Sequence, residues 1–386
     1  MPGIYDDIGV TRVINAAGSM TYLGGSLIAP EVLAAMNEAA GSFVVMEELM
    51  AWAGTEIARL TGTEAGLVTT GTSGGILLAA AACLTGTDRQ RMRNLPDTGG
   101  AKNEFVVQKL HRISFDHAVR VAGGRLVEAG DSGGTTAQQI EAAIGEQTAA
   151  VFHVVLDPKP TVALERVVAI AHASGVPVIV DAAAELPPVD NLRAFAATGA
   201  DLVIFSGGKE ISGPNDTGIL CGRGELVSAA AAQAFPNRGI GRSLKVSKEQ
   251  IVGLIFALRR FAAMDYEVQM QRWQTMAQSM CDRLRDVEGI SARVDYATTG
   301  SRPLCIPRTR LQLDEEALGL SVAQVETALE QGQPAVAVMP EPSRSIIWLN
   351  PQHLADGEEE VVACRFAEVV AGGPLMNRPA TQSNTR

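Results

Sequence analysis

The chain has 386 residues, of which 46% are apolar, with 39 glycines and a formal charge of −11. That length suits one large and one smaller domain around a cleft, and the apolar share is ample for a core. The acidic balance, without any block of basic residues, argues against a nucleic-acid or anionic-membrane surface, while leaving room for a small basic pocket.

Five dispersed cysteines without a CxxC pair read as reduced thiols, and the His and Cys positions make no metal-ligand pattern. No N-terminal leader is present, and no apolar span reaches the ~18 residues of a membrane helix. A cytoplasmic protein with no membrane partner and no metal is expected.

In chain order, residues 1–30 lack a clear period and read as an extended arm. Ser26 and Pro30-Glu31 predict a helix running through Glu38. Leu49, Trp52, Ile57 and Leu60 predict a second one over residues 46–60. A strand at 66–69 then breaks into Gly71-Thr72-Ser73-Gly74-Gly75 before an Ala-rich helix. Free N–H groups at that helix start, with the positive end of its dipole, make an anion site. A turn filled by glycines for packing alone is the other reading.

Residues 88–103 are polar and aperiodic, a predicted surface loop. A strand at 105–107 leads to His111 and a helix around 116–121. Strands follow at 126–128, 149–155, 176–180, 202–205 and 217–220, with helical patterns such as 137–145 and 164–174 between them. This alternation predicts a mostly parallel sheet covered on both faces. Beyond Gly222, residues 224–234 and 248–266 are helical, the latter reaching as far as 287, and a small α+β lobe follows. The polar tail at 376–386 reads as disordered. The expected division is an arm and first helix at 1–45, a large domain at 46–245, a small C-terminal domain at 246–375, and the tail.

The most informative stretch is 176–222. One apolar strand ends in Asp181 and another in Ser206-Gly207-Gly208-Lys209, so an acid and a lysine 28 residues apart stand at one edge of a sheet. A pyridoxal phosphate (PLP) site requires that pair: the lysine forms the Schiff base, and the acid holds the pyridine nitrogen protonated. Two glycines before Lys209 allow close backbone approach to a ligand, Gly213-Pro214 fixes the next turn, and Ala183 leaves room for a flat ring. A lysine after a strand is also an ordinary solvated loop residue. The combination favours the cofactor.

NAAG near the start, GTSGG, HRISFDHAVRVAG, VDAAAELPP, FSGGKEISGPNDTG and GRSLKVSKEQIVG together resemble the selenocysteine synthase-like branch of fold-type-I PLP enzymes. Within it the likeness is greatest to D-glucosaminate-6-phosphate ammonia-lyase-type proteins, and it runs from about Ile8 to about Val369. The resemblance implies an α/β, aspartate aminotransferase-like fold with a mostly parallel seven-stranded-type sheet in the large domain. It implies PLP on Lys209, Asp181 on the pyridinium nitrogen, Ala183 packed on one ring face and His111 stacked on the other. His117 is the rival stacker, although Asp116-His117 reads better as the start of the next helix.

The phosphate is then expected in the turn Gly71, Thr72, Ser73, Gly74, helped by Ser206. Thr217 is expected to reach a neighbouring subunit's phosphate, which makes a homodimer the minimal unit. Arg238, Arg242 and Lys245 are anion-binding candidates for substrate, or a solvated helix start, and Arg344 is a candidate clamp for the substrate carboxylate. Two positions depart from the family pattern, which has Asn where Ile113 stands and a basic residue where Gln352 stands. These departures point to a smaller or non-phosphorylated substrate.

Lys209 is placed to remove the α-proton as general base. With a β-hydroxyl on the substrate, α,β-elimination follows, and a 2-amino-3-hydroxy acid of D configuration or sugar origin yields a 2-oxo acid and ammonia. A racemase or epimerase would need a second acid on the opposite face, and an aldolase would break Cα–Cβ. A selenium transferase acting on seryl-tRNA is disfavoured by the charge of −11. A non-catalytic PLP-binding protein has no chemical need for both Lys209 and Asp181.

Overall fold

The computed structural model describes residues 3–156, 160–298, 300 and 302–372; the tail at 376–386 lies outside them. Two units form, Ser26–Met264 and Met1–Gly25 with Asp265–Arg386. These units divide at Gly25/Ser26 and Met264/Asp265, where the expected boundaries were residues 45 and 245. Helix Pro30–Ala40 belongs with the larger unit because it packs on helix Lys248–Ala262, whose Lys248 Nζ donates to the carbonyls of Ala39 and Ala40 at 2.7 and 2.8 Å. The long helix predicted beyond residue 248 stops at Ala262. Asp265 then caps a new helix, Tyr266–Leu284, by accepting from the Val268 amide at 3.1 Å.

Strand β1 (Val13–Asn15) belongs to the smaller unit. The larger unit supplies β2 (Ala65–Thr70), β3 (Glu104–Gln108), β4 (Arg125–Ala129), β5 (Thr148–Val154), β6 (Val178–Asp181), β7 (Leu202–Ser206) and β8 (Thr217–Gly222). They form one seven-stranded sheet in the order β2-β8-β7-β6-β5-β3-β4, with β8 antiparallel to both its neighbours. Alternate residues point to opposite faces. Val106, Val151, Val178, Val203 and Phe205 pack with helices Leu164–Ala173 and Lys248–Ala262, while Phe105, Phe152, Ile179, Leu202 and Ile204 pack with helix Gly71–Thr85. That helix is apolar nearly all round and is buried accordingly.

The parallel strands end at one edge, and the register lines up their last residues. Val154 pairs with Asp181, Asp181 with Ile204, Ser206 with Gly218, and Thr70 with Thr217. Ligands of open α/β sheets bind outside such an edge. The expected loop at 88–103 contains a short helix, Arg89–Asn94, capped by the Asp88 carboxylate on the Gln90 and Arg91 amides.

In the smaller unit, β1 pairs in parallel with β11 (Ala335–Ala337), so the arm carries a strand. The Asn15 side chain accepts from the amides of Ala17 and Gly18 and donates to the Gly18 carbonyl, which explains the turn at NAAG. A four-stranded antiparallel sheet joins β12 (Met339–Glu341), β13 (Ile346–Leu349), β10 (Pro307–Leu313) and β9 (Ile290–Tyr296) in that order. Among the described residues, no helix is long and apolar enough to cross a membrane.

Candidate active site

Asp181 ends β6 and is buried, with its Oδ1 accepting the Ala183 amide at 3.0 Å. Burial pushes its carboxyl up to about 6, against the opposing pull of that amide and of the Lys209 cation. Lys209 sits in the turn after β7 and is half-buried. The structure thus brings together the acid and the lysine that the sequence paired. Ala183 follows Asp181 at the same edge and is partly open. Glu185, a second buried acid, adds a like charge near Asp181 that sequence reasoning did not single out.

The glycines before Lys209 are closely packed within the protein. A Cβ on Gly207 would lie 2.2 Å from Thr217 Oγ1, and one on Gly208 would lie 2.4 Å from Asn215 Cα. The loop after Lys209 folds back over them, with the Gly207 amide on the Thr217 carbonyl and the Gly213 amide on the Gly207 carbonyl, both at 2.9 Å. Gly207 makes room for the Thr217 and Leu254 side chains, and Gly208 for Asn215. Gly208→Ala is expected to cost ~1–3 kcal/mol, the range for overpacking, because the obstructing atoms are backbone. A denaturation curve on the apoprotein checks this, with unchanged stability as the contrary result.

Thr217, expected to reach a neighbouring subunit's phosphate, is fully buried within its own chain, and its hydroxyl donates to the Pro214 carbonyl at 2.7 Å, which braces the lysine loop.

Helix Gly71–Thr85 starts directly after β2, with no side chain capping its first amides. Gly71 has φ +59°, a conformation suited to glycine, and nothing lies within 4 Å of where its Cβ would be. Thr72 and Ser73 are open at this turn, whereas Gly74 is buried. Gly75 is small for packing, since a Cβ there would meet Ile204 at 2.8 Å. Packing thus accounts for Gly75, while the turn at Gly71 is open. Ser206, the last residue of β7, is half-buried.

His111 lies in a 3-10 turn after β3, two strands from Asp181, and is 1% exposed. Neither ring nitrogen has a hydrogen-bond partner, and burial holds the imidazole down at about 4. Its ring meets that of His153, the next-to-last residue of β5, at a centroid distance of 4.7 Å and an interplanar angle of 89°. Sequence reasoning missed His153, whose signal was a histidine inside the apolar run AVFHVV. His117 is exposed, opens helix His117–Val121 and lies 3.0 Å from Arg120, as befits a surface residue.

Arg238, Arg242 and Lys245 are exposed on the loop ahead of the helix that Ser247 caps, so they are not a helix start. Arg242 lies over the Phe235 ring at 5.1 Å. The loop meets the glycine-rich turn, where Thr70 Oγ1 donates to the Lys245 carbonyl at 3.3 Å. Arg344, in the smaller unit, is exposed and donates through Nη1 to Glu341 at 3.1 Å. Ile113 packs with the apolar cluster beside helix Gly71–Thr85, and Gln352 is buried in the smaller unit.

Residues 13–295 match the SelA family, described as L-seryl-tRNA selenium transferase. The chain belongs to this family. It is 35% identical to D-glucosaminate-6-phosphate ammonia lyase of Salmonella typhimurium (strain 14028s / SGSC 2262), over 95% of this chain and 98% of the relative. It is 37% identical to a 5'-C-glycyluridine monooxygenase-decarboxylase of a Streptomyces species, over 93% and 90%. A solved structure of D-glucosaminate-6-phosphate ammonia-lyase superposes with a TM-score of 0.85 at 34% identity, covering 97% of this chain and 99% of that one. The same arrangement recurs at 14% identity in a solved PLP enzyme, which speaks for the fold alone. The fold is fold type I of the PLP enzymes, as the motifs predicted.

Proposed function

We propose that this protein is a PLP-dependent lyase that eliminates across Cα and Cβ of a 2-amino-3-hydroxy acid, of D configuration or sugar origin, to give a 2-oxo acid and ammonia. The observation that carries the reading is Asp181 and Lys209 at one sheet edge, close enough for the lysine's charge to stabilise the carboxylate. Three features fit the cofactor. Asp181 is a buried carboxylate that would gain from a cationic partner, the helix start at Gly71 is uncapped and open, and the His111 nitrogens are unpartnered inside the protein.

When bound, the cofactor supplies a sink for the electron pair left at Cα. Lys209 takes the α-proton, a general-base role worth ~10²–10⁴-fold. The β-hydroxyl would leave as water with the proton that Lys209 took from Cα, and addition of water to the product would release ammonia and the 2-oxo acid. Asp181 would keep the cofactor's ring nitrogen protonated, and Ala183 and His111 would hold its ring. Gly71, Thr72, Ser73, Gly74 and Ser206 would hold its phosphate. Arg238, Arg242 and Lys245 would receive an anionic group of the substrate.

The five cysteines, all unpaired, support a cytoplasmic setting. Exposed Leu27, Phe43, Val44 and Val45 on the larger unit support a homo-oligomer, with a dimer as its smallest form. The charge of −11 supports a small-molecule substrate over a nucleic acid.

The monooxygenase-decarboxylase relative, at similar identity, favours a second reading in which the same site consumes O₂ and releases CO₂. A panel of D- and L-2-amino-3-hydroxy acids, phosphorylated and not, separates the two. Ammonia and a 2-oxo acid in equal amounts support elimination; O₂ uptake with CO₂ release replaces it. Within that panel, the Arg238→Ala/Arg242→Ala double variant is expected to raise KM ~10–100-fold with kcat little changed, the pattern for lost charge-assisted binding. An unaltered KM for every anionic substrate removes this loop from the binding site.

A further inference from the structure

The turn that carries His111 is held from several sides. The Gln108 side chain accepts from the Val162 amide at 2.7 Å and donates to the Val162 carbonyl at 2.9 Å. Glu128 on β4 takes both Lys109 and Arg112, and Arg112 also binds the buried Asp116. These contacts fix the backbone on either side of His111. No hydrogen bond sets the plane of its ring, since neither ring nitrogen has a partner. The ring contact found for it among the described residues is the edge-to-face one with His153.

We propose that His153 is a positioning residue: its buried ring sets the plane that His111 offers to a stacked cofactor. The inference rests on the PLP reading above. His153 suits the role because it sits near the end of a fully buried strand and is 5% exposed, so its own ring is braced by the sheet. Its Nδ1 is buried without a hydrogen-bond partner. Burial holds His153 down at about 3, with His111 adding to the effect, so both rings are uncharged at neutral pH and pack without repulsion. An edge-to-face arrangement is the preferred one for neutral rings.

Two variants test this in purified protein titrated with PLP. His153→Phe keeps a flat ring, and His153→Leu removes it at similar bulk. The expected result is a Kd for PLP within about twofold of wild type for Phe and ~10-fold weaker for Leu, with reduced visible circular dichroism of the bound cofactor. The apoprotein melting temperatures report that both variants fold. In a His111→Ala background, His153→Leu is expected to have no further effect, since it acts through His111. A Leu variant equal to wild type, or a Leu effect that persists without His111, overturns the proposal. Failure of wild-type protein to bind PLP at all defeats the cofactor reading instead, so the two outcomes are distinct.

Discussion

Lys209→Ala is expected to abolish ammonia release, by at least ~10⁴-fold, because in the proposed function one residue supplies both the covalent attachment and the proton transfer. The visible absorbance band of bound PLP should disappear in the same variant. The loss should fall on kcat rather than KM, since the groups that grip substrate are elsewhere on the edge. Spectra before and after substrate, with ammonia assayed, measure both effects at once. A variant that retains the band and turns over within tenfold of wild type would place the attachment on another lysine and remove the basis of the proposed function.

Asp181→Asn is expected to move activity and stability in opposite directions. Turnover should fall by ~10²–10³-fold, as when one preorganised charged group is removed from an active site. In the apoprotein, however, Asp181 is a liability. Its folded-state value of about 6 lies above the ordinary aspartate value of 3.8, so between these limits the folded form holds a proton that the unfolded chain has released. Stability therefore falls as pH rises from about 4 to about 6 and levels off above, and the ionised form costs ~3 kcal/mol at neutral pH. Asparagine carries no such penalty and keeps an acceptor for the Ala183 amide. Apoprotein of the variant should thus melt higher than wild type at pH 7.5, and the difference should vanish near pH 4. A lower melting temperature at pH 7.5 contradicts the burial argument.

Much of the sheet was legible because several strands are short apolar runs too brief for a helix, two of which stop at Asp181 and at Ser206-Gly207-Gly208. The acid–lysine pair followed from where those runs stop. What escaped the sequence depends on contacts made at a distance. His111 and His153 are 42 residues apart and meet because β3 pairs with β5, which no local pattern announces. Thr217 has the right chemistry for a phosphate, and only the fold-back of its loop shows that its hydroxyl is committed to Pro214. The break before Asp265 carries neither glycine nor proline, so the helix seemed continuous until the Asp265 cap was visible. The helix Arg89–Asn94 is six residues long and buries none of them, so it leaves no apolar period to detect.

The pairing of β1 with β11 has a consequence for biosynthesis. Val13 leaves the ribosome roughly 320 residues ahead of Ala335, its partner. At ~5–20 residues per second, that is a wait of ~16–64 s with a bare strand edge, during which all of Ser26–Met264 is made. Chains halted after the larger unit but before Ala335 carry that edge permanently, and they are the species expected to aggregate first.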